Sequence, residues 1–191
     1  AKAGKRLGIP TVYYIPPTAW AWRRGRAKTI ARSIDKVISI FDFEAKVYQE
    51  AGNNVEFVGH PLLDIAVAKM TREEAGKAFN LDANKKIIGI LPGSRKKEIK
   101  VLLPIMLSAI EKIRFQLPEA QFILPLAPTL SLKDISPLTT YHSPLTIVEN
   151  NTYEVMNICD LLIVASGTAT LEAACLQIPM IIVYKVNWLT C

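Results

Sequence analysis

Between residues 86 and 186, short apolar runs alternate with longer segments of helical periodicity, and this alternation limits the fold more than any other feature. Five of the runs have the length and β-branched composition of buried strands. Helices between consecutive strands make the strands parallel, and right-handed crossovers then produce a doubly wound α/β domain. We predict its strands at residues 86–91, 121–126, 145–148, 161–165 and 180–186.

The beginning of the sequence shows the same alternation, but with only three predicted strands before residue 60. Three strands are too few for a parallel sheet that helices cover on both faces. We therefore expect the domain that contains residues 1–60 to lack its N-terminal part here. Residues 61–70 are interpreted as a connector to the domain at 71–191.

Two helix starts carry the pattern of a capping box, in which a polar side chain is followed three residues later by Glu. Thr71 and Glu74 form one such pair, and Asn151 and Glu154 form the other. In each pair the first side chain is expected to accept from the backbone of the Glu, and the Glu to accept from the backbone of its partner.

The turn after the strand at 86–91 contains Gly93, Ser94 and Arg95. Ligands of open α/β sheets bind beyond the carboxyl ends of the strands, which is where this turn lies. Gly93 can adopt a positive φ, Ser94 can donate to an anion, and the fork of Arg95 matches a phosphate. An ordinary turn with a solvated Arg95 would leave the same pattern.

A second glycine turn, with Ser166, Gly167 and Thr168, follows the strand at 161–165. A helix begins there, and its free N–H groups and its dipole favour a phosphate. Glu172 lies one helical turn beyond Thr168, where it is better placed to accept from ribose hydroxyls. Alternatively, Ser166 is a plain N-cap and Glu172 a solvated acid, but a second glycine turn in one sheet favours a ligand site.

Positive charge is concentrated at the start of the sequence. Residues 1–40 hold nine Lys and Arg against one acid, a net charge of +8, whereas the whole chain carries +6. A local basic surface attracts phosphates of nucleic acid, of anionic lipid or of a phosphorylated substrate. Trp20, Trp22 and Arg23 lie in this segment. The two rings could stack on bases or lie at a lipid interface, although a core position is the simpler expectation for at least one Trp.

Composition and motifs exclude several classes of protein. A chain that is 50% hydrophobic and 21% charged is not intrinsically disordered. The three cysteines are too scattered for a disulfide framework or a structural zinc site. The sequence has no GxGxxG, Walker A or GxSxG motif. The sequence around His60 shows no triad or metal-ligand spacing, which favours a structural turn.

Four segments together resemble the lipid-A-disaccharide synthase family, in its order. They are Trp-Ala-Trp-Arg at 20–23, Phe-Val-Gly-His-Pro at 57–61, Leu-Pro-Gly-Ser-Arg at 91–95 and Ala-Ser-Gly-Thr-Ala-Thr-Leu-Glu at 165–172. The resemblance covers essentially the whole sequence, although Ser-Gly-x₄-Glu alone is shared more widely among GT-B glycosyltransferases and UDP-sugar epimerases. It implies a GT-B-like α/β fold with two Rossmann-like doubly wound domains, the N-terminal one only partly present.

The family resemblance also implies an activity. The expected enzyme is an inverting glycosyltransferase that moves 2,3-diacylglucosamine from UDP to 2,3-diacylglucosamine 1-phosphate and forms the β(1→6) disaccharide of lipid A. Its partners would be the UDP-diacylglucosamine donor, the diacylglucosamine 1-phosphate acceptor and an anionic membrane surface. It would work in the cytoplasm, peripheral to the bacterial inner membrane, without a metal or organic cofactor.

Carried onto this sequence, the resemblance implies roles for particular residues. Glu172 would hold the ribose. Residues 1–60 would be the C-terminal half of the acceptor-side Rossmann-like domain, and residues 71–191 the nucleotide-sugar-binding one, truncated at its C-terminus. A possible acceptor or membrane face would include Trp20, Trp22 and Arg23. The general base of the family is expected in the N-terminal part that precedes this sequence, so no catalytic residue is named and the fragment is expected to be inactive alone. The residues expected beside the UDP diphosphate are Gly93, Ser94, Arg95, Ser166, Gly167 and Thr168.

Two other functions stay open on the sequence alone. An enzyme similar to UDP-N-acetylglucosamine 2-epimerase would share the fold and the Ser-Gly-x₄-Glu pattern, but the segment at 20–23 and the basic patch argue against it. A non-catalytic module for anionic lipid or nucleic acid would explain the basic residues at 1–40. No RNP, KH or helix-turn-helix pattern is present, so a nucleic-acid partner is not expected.

Overall fold

A computed structural model of the chain describes residues 1–19, 25–139 and 144–185. The chain divides into two compact units, Ala1–Pro61 and Leu62–Cys191, and each has its own sheet. The second unit contains the long alternating stretch of the sequence.

The smaller unit has a parallel sheet of three strands in the order β1-β2-β3 within its described residues. Tyr48 lies in its core, where it is fully buried and its hydroxyl donates to the Pro17 carbonyl at 2.5 Å. Burial and the nearby Glu44 raise the pKa of Tyr48 to about 12, so the phenol stays a donor. The elements are α1 (Lys2–Arg6), β1 (Val12–Tyr14), α2 (Gly25–Ala31), β2 (Lys36–Ser39), α3 (Asp42–Glu50) and β3 (Val55–Phe57).

In the described part of the larger unit, five parallel strands form one sheet in the order β6-β5-β4-β7-β8. The predicted doubly wound α/β fold is confirmed. The elements are α4 (Leu62–Ile65), α5 (Arg72–Phe79), β4 (Ile87–Leu91), α6 (Lys96–Gln116), β5 (Gln121–Leu126), α7 (Leu132–Ile135), β6 (Leu145–Glu149), α8 (Thr152–Ile158), β7 (Leu161–Ala165), α9 (Thr168–Cys175) and β8 (Met180–Val183).

The apolar runs form strands here because helices cover both faces of the sheet. All five residues of β4 are buried. Ile88 and Ile90 pack in a cluster with the buried side of α6. Ile87 and Leu91 point to the opposite face and pack with α5, α8 and α9. The larger unit is therefore a three-layer structure with one hydrophobic cluster on each face of its sheet.

Arg72, at the first position of α5, forms hydrogen bonds to several backbone segments of the larger unit. Its guanidinium donates to the carbonyls of Ala83 at 2.8 Å, Ile158 at 2.7 Å and Lys85 at 3.1 Å. It also forms an ion pair with Asp160 at 3.0 Å. Because these acceptors lie 11 to 88 residues away from it, Arg72 cross-links segments that are distant in the sequence.

The capping box predicted at Thr71 and Glu74 is confirmed. The Glu74 N–H donates to the Thr71 hydroxyl oxygen at 3.3 Å, and the Thr71 N–H donates to the Glu74 carboxylate at 2.8 Å. Hydrogen bonding from Thr71 to the Glu74 carboxylate, first from the backbone N–H and then from the side chain, holds the pKa of Glu74 below its usual value.

The capping box predicted at Asn151 and Glu154 is wrong. Asn151 occupies the N-cap of α8 but makes no side-chain cap, and its amide instead donates to the Glu149 carbonyl at 3.1 Å. The Glu154 carboxylate accepts the backbone N–H groups of Lys69 at 2.9 Å and Met70 at 3.0 Å. Those N–H groups lie outside any helix or strand and require an acceptor, and the carboxylate provides it.

Candidate functional site

The carboxyl ends of β4 and β7 lie side by side in the larger sheet. β4 pairs with β5 on one side and with β7 on the other, so the direction in which successive strands are added reverses between β4 and β7. Ligands of doubly wound sheets bind in the crevice outside such a reversal. Leu91 of β4 is level with Val164 of β7, so the two glycine turns begin at the same edge.

A cleft of about 560 Å³ opens between these two turns. Its walls also include residues that follow β5 and β6, among them Pro128 and Tyr153. The structure brings together all seven residues that the sequence assigned to UDP, and their role in binding stays a prediction. These residues are Gly93, Ser94, Arg95, Ser166, Gly167, Thr168 and Glu172.

The turn after β4 requires glycine at position 93. Gly93 has φ +111°, and a Cβ added to it would lie 2.6 Å from the Oε2 atom of Glu98. The next residue is supported from the loop after β5, because the Thr129 hydroxyl donates to the Ser94 carbonyl at 2.7 Å. The local backbone of this wall of the cleft is therefore set by contacts within the protein.

Arg95 is the N-cap residue of α6, and its guanidinium forms an ion pair with Glu98 at 2.7 Å. The Arg95 side chain is 81% exposed, so the pair contributes about 1 kcal/mol or less and the guanidinium can turn to another anion. Glu98 lies in the first turn of α6, where a carboxylate complements the positive end of the helix dipole. The start of α6 therefore already carries a negative group.

The start of α9 carries no such group. Gly167 is its N-cap residue, no side chain caps the helix, and its first turn contains no acid. The alternative reading in which Ser166 caps this helix is wrong, because Gly167 takes the N-cap position and no side-chain cap forms. The Ser166 N–H donates to the Val183 carbonyl of β8 at 2.9 Å. Only the Ser166 hydroxyl is left for a ligand. The free N–H groups of the first turn make α9 the better position for an anion.

Glu172 lies in α9 and contacts one residue that the sequence did not single out. The Tyr153 hydroxyl donates to its Oε1 atom at 3.3 Å. Burial, followed by the nearby Glu172 charge, raises the pKa of Tyr153 above its usual value, so the phenol stays protonated. Glu172 is thus held by a neighbour in α8, which argues against the reading of a merely solvated acid.

Sequence reasoning missed both Tyr153 and Glu98 as residues of this cleft. All strands of a parallel sheet end at the same edge, so the segments after β5 and β6 also reach the cleft. That rule pointed to the start of α8, but not to one residue in it. Glu98 could have been predicted from the sequence, since an acid three residues after Arg95 lies on the first turn of the following helix and within reach of that side chain.

Other candidates from the sequence fall outside this cleft. Trp20, Trp22 and Arg23 lie outside the described residues, so the acceptor or membrane face stays a prediction. His60 belongs to the smaller unit, with its ring 5.2 Å from the ring of Phe41. In the described ranges, no cluster of His, Cys, Asp and Glu could hold a metal ion. None of the described helices is both long enough and apolar enough to cross a bilayer.

Comparison with protein families gives a match over the whole chain. The family described as lipid-A-disaccharide synthetase matches residues 1–191. The chain is 44% identical over 191 residues to a lipid-A-disaccharide synthase of Geobacter sulfurreducens, covering 100% of this chain and 50% of that protein. It is 45% identical over 191 residues to a lipid-A-disaccharide synthase of Coxiella burnetii, again covering 50% of that protein. The chain therefore spans about half the length of these curated relatives.

Solved structures support the fold alone. A UDP-GlcNAc 2-epimerase from Neisseria meningitidis, solved with bound UDP-GlcNAc, aligns with a TM-score of 0.67 at 16% identity. The alignment covers 97% of this chain and 56% of that one. This likeness confirms the GT-B-like α/β fold class predicted from the sequence, and at this identity it does not favour the epimerase alternative.

Proposed function

Since the chain belongs to the lipid-A-disaccharide synthetase family, we propose that it supplies the nucleotide-sugar-binding part of an inverting glycosyltransferase. The proposed reaction moves 2,3-diacylglucosamine from UDP to 2,3-diacylglucosamine 1-phosphate and forms a β(1→6) disaccharide. The larger unit is the nucleotide-sugar domain in this proposal, and the smaller unit is part of the acceptor-side domain.

One observation carries the proposal: the two glycine turns and the Glu172 carboxylate meet in a single cleft at the reversal of the strand order. An Arg95 fork and an uncapped helix start are suited to two phosphates. Glu172 lies one helical turn from that helix start and offers an acceptor to a ribose. These groups match the order diphosphate–ribose along a nucleoside diphosphate.

The proposed chemistry follows from the charges in the cleft. Breaking the bond between the sugar and UDP leaves extra negative charge on the diphosphate. Arg95 and the N–H groups at the start of α9 stabilise that charge from fixed positions, which lowers the barrier to departure. To make this contact, the Arg95 guanidinium leaves its ion pair with Glu98 and binds the diphosphate. The base that activates the acceptor hydroxyl is not assigned to a residue of this chain.

The basic segment at residues 1–40 supports a peripheral position on an anionic membrane at the cytoplasmic side. Among the described residues, two of its cations form ion pairs within the smaller unit, Lys5 with Asp35 at 3.8 Å and Lys36 with Glu56 at 2.5 Å. Each remaining cation near an anionic surface contributes about 1 kcal/mol. Co-sedimentation with vesicles of phosphatidylglycerol should then exceed that with phosphatidylcholine and fall as salt increases. Equal binding to both lipids would contradict this part of the proposal.

Calorimetric titration of UDP into the full chain tests the nucleotide site. We expect saturable binding, weakened about 10-fold or more in Arg95→Ala and in Glu172→Ala, since each variant removes a hydrogen bond to a charged group. Arg114→Ala and Glu111→Ala are the matched controls, because both side chains are exposed in α6 and do not line the cleft.

Circular dichroism of each variant establishes that it is folded. A folded chain that does not bind UDP would overturn the site assignment. UDP binding that is equally weakened in the α6 controls would place the nucleotide elsewhere.

A further inference from the structure

Tyr153 and Glu172 connect two helices across one wall of the cleft. Tyr153 lies in the first turn of α8 and Glu172 in the middle of α9, and both side chains are half-buried. The phenol donates to Glu172 Oε1 at 3.3 Å. Both residues line the cleft, so the bond lies in the wall that a nucleotide would contact.

The Tyr153 ring has a fixed position, which makes its hydroxyl a fixed donor. The ring packs against the hydrophobic cluster formed by α5, α8, α9 and one face of the sheet. Glu172 has no comparable anchor. Within residues 1–19, 25–139 and 144–185, no other side chain hydrogen-bonds to it, and no Lys or Arg forms an ion pair with it.

A glutamate that must recognise a ribose has a specific requirement. Its carboxylate has to be held in one orientation, because a freely rotating side chain loses conformational entropy when it binds. It also has to keep an acceptor free for a hydroxyl. A single phenol on Oε1 meets both requirements, since it holds the carboxylate and leaves Oε2 unoccupied.

We propose that Tyr153 is a positioning residue for nucleotide recognition, holding the Glu172 carboxylate so that Oε2 can accept from a ribose hydroxyl. The inference rests on the proposed function and adds to it a second residue that determines selectivity for a ribonucleotide. Tyr153 acts through Glu172 and makes no ribose contact of its own.

Titration with two nucleotides separates this role from a general structural one. The probes are UDP and 2′,3′-dideoxyuridine diphosphate, titrated calorimetrically into the full chain. We expect the wild type to bind UDP about 10-fold or more tightly than the dideoxy nucleotide. Tyr153→Phe keeps the ring packing but removes the hydroxyl, and we expect this ratio to fall about threefold or more. Tyr184→Phe, a change at an exposed tyrosine outside the cleft, should leave the ratio unchanged.

A double-mutant cycle then tests whether Tyr153 acts through Glu172. In Glu172→Ala the ratio should be close to one, and adding Tyr153→Phe should not change it further. An unchanged ratio in Tyr153→Phe, or equal weakening of both nucleotides, would overturn the inference. A ratio that stays above one in Glu172→Ala and falls further in the double variant would also overturn it, because Tyr153 would then contact the ribose directly. A folded wild type that binds neither nucleotide would instead overturn the proposed function.

Discussion

At the scale of single residues, the two glycines of the cleft differ in what the protein requires of them. Gly93 combines a positive φ with an added Cβ only 3.1 Å from the Cβ of Glu98. Gly167 has an extended backbone, and nothing lies within 4 Å of an added Cβ. The fold therefore requires glycine at position 93, whereas only a ligand would require it at position 167.

Alanine at these two positions should separate the two requirements. Gly93→Ala is expected to lower the free energy of unfolding by about 1–3 kcal/mol, because the new side chain is strained and meets Glu98. Gly167→Ala should change it by less than about 0.5 kcal/mol, yet weaken UDP binding because the Cβ enters the cleft. Urea denaturation followed by circular dichroism measures the stabilities. Equal destabilisation by both variants would be inconsistent with the observed turns.

Arg72 gives a second prediction at the residue scale. Arg72→Ala leaves three part-buried carbonyls and Asp160 without this donor, so the free energy of unfolding should fall by about 2–3 kcal/mol. Arg114→Ala is the matched control, because that side chain is exposed and forms no hydrogen bond or ion pair with the described residues. Equal midpoints of urea denaturation for the two variants would show that the Arg72 contacts do not stabilise the fold.

At the scale of helices and strands, the two predicted capping boxes provide a direct comparison. Thr71→Ala removes an observed cap and should cost about 1 kcal/mol. Asn151→Ala removes no cap and should cost clearly less. Glu154→Ala should cost about 1–3 kcal/mol, because the N–H groups of Lys69 and Met70 lose their acceptor. Equal losses of unfolding free energy in Thr71→Ala and Asn151→Ala would contradict the finding that Asn151 forms no side-chain cap.

The starts of α6 and α7 are linked by a charge pair whose pH dependence can be measured. Lys96 lies 2.8 Å from Asp134. This bond first, and then those from Ser131, lower the pKa of Asp134 from 3.8 to about 2. Because the folded pKa is the lower one, the stabilisation is complete above the ordinary value and is lost as the pH falls through about 2.

Replacing Lys96 should reverse this shift in part. In Lys96→Met the pKa of Asp134 should rise toward 3.8, as measured by NMR titration of its carboxyl carbon. Lys100→Met is the control, since Lys100 is exposed on α6 and forms no ion pair with the described residues. A pKa that stays near 2 in Lys96→Met would show that the bonds from Ser131 suffice.

At the scale of the whole molecule, the two units have separate hydrophobic cores. The core of the smaller unit consists of a few residues around Val37 and Tyr48, beneath three short strands. The larger unit has a cluster on each face of its sheet. Since the area buried in a core limits stability, the units should differ in their ability to fold alone.

Separate expression of the two units tests this difference. Residues 62–191 should give a cooperative urea transition followed by circular dichroism, whereas residues 1–61 should unfold gradually without a sharp midpoint. The reverse result would contradict the expected difference in stability. A cooperative transition only in the intact chain would show that the two cores depend on each other.

The sequence determined the features that depend on neighbouring residues. Apolar runs and helical periods predicted the strands and the helices, because those patterns follow from local hydrogen bonding and burial. The alternation of the two predicted that the strands are parallel. Glycine turns at strand ends, such as the one at Gly93, followed from the same pattern. Together with the combination of motifs, this was enough to predict the fold class and the seven candidate residues of the cleft.

Only the tertiary structure decided which of these segments meet. The strand order puts β4 beside β7, which brings the two turns together. Packing of α8 against α9 brings Tyr153 to Glu172, 19 residues away. The Glu154 carboxylate accepts from the connector instead of from its own helix start, and these donors, Met70 and Lys69, lie 84 and 85 residues away in the sequence. Such partners compete over long separations, and the outcome depends on how whole helices pack on the sheet, which no local pattern encodes.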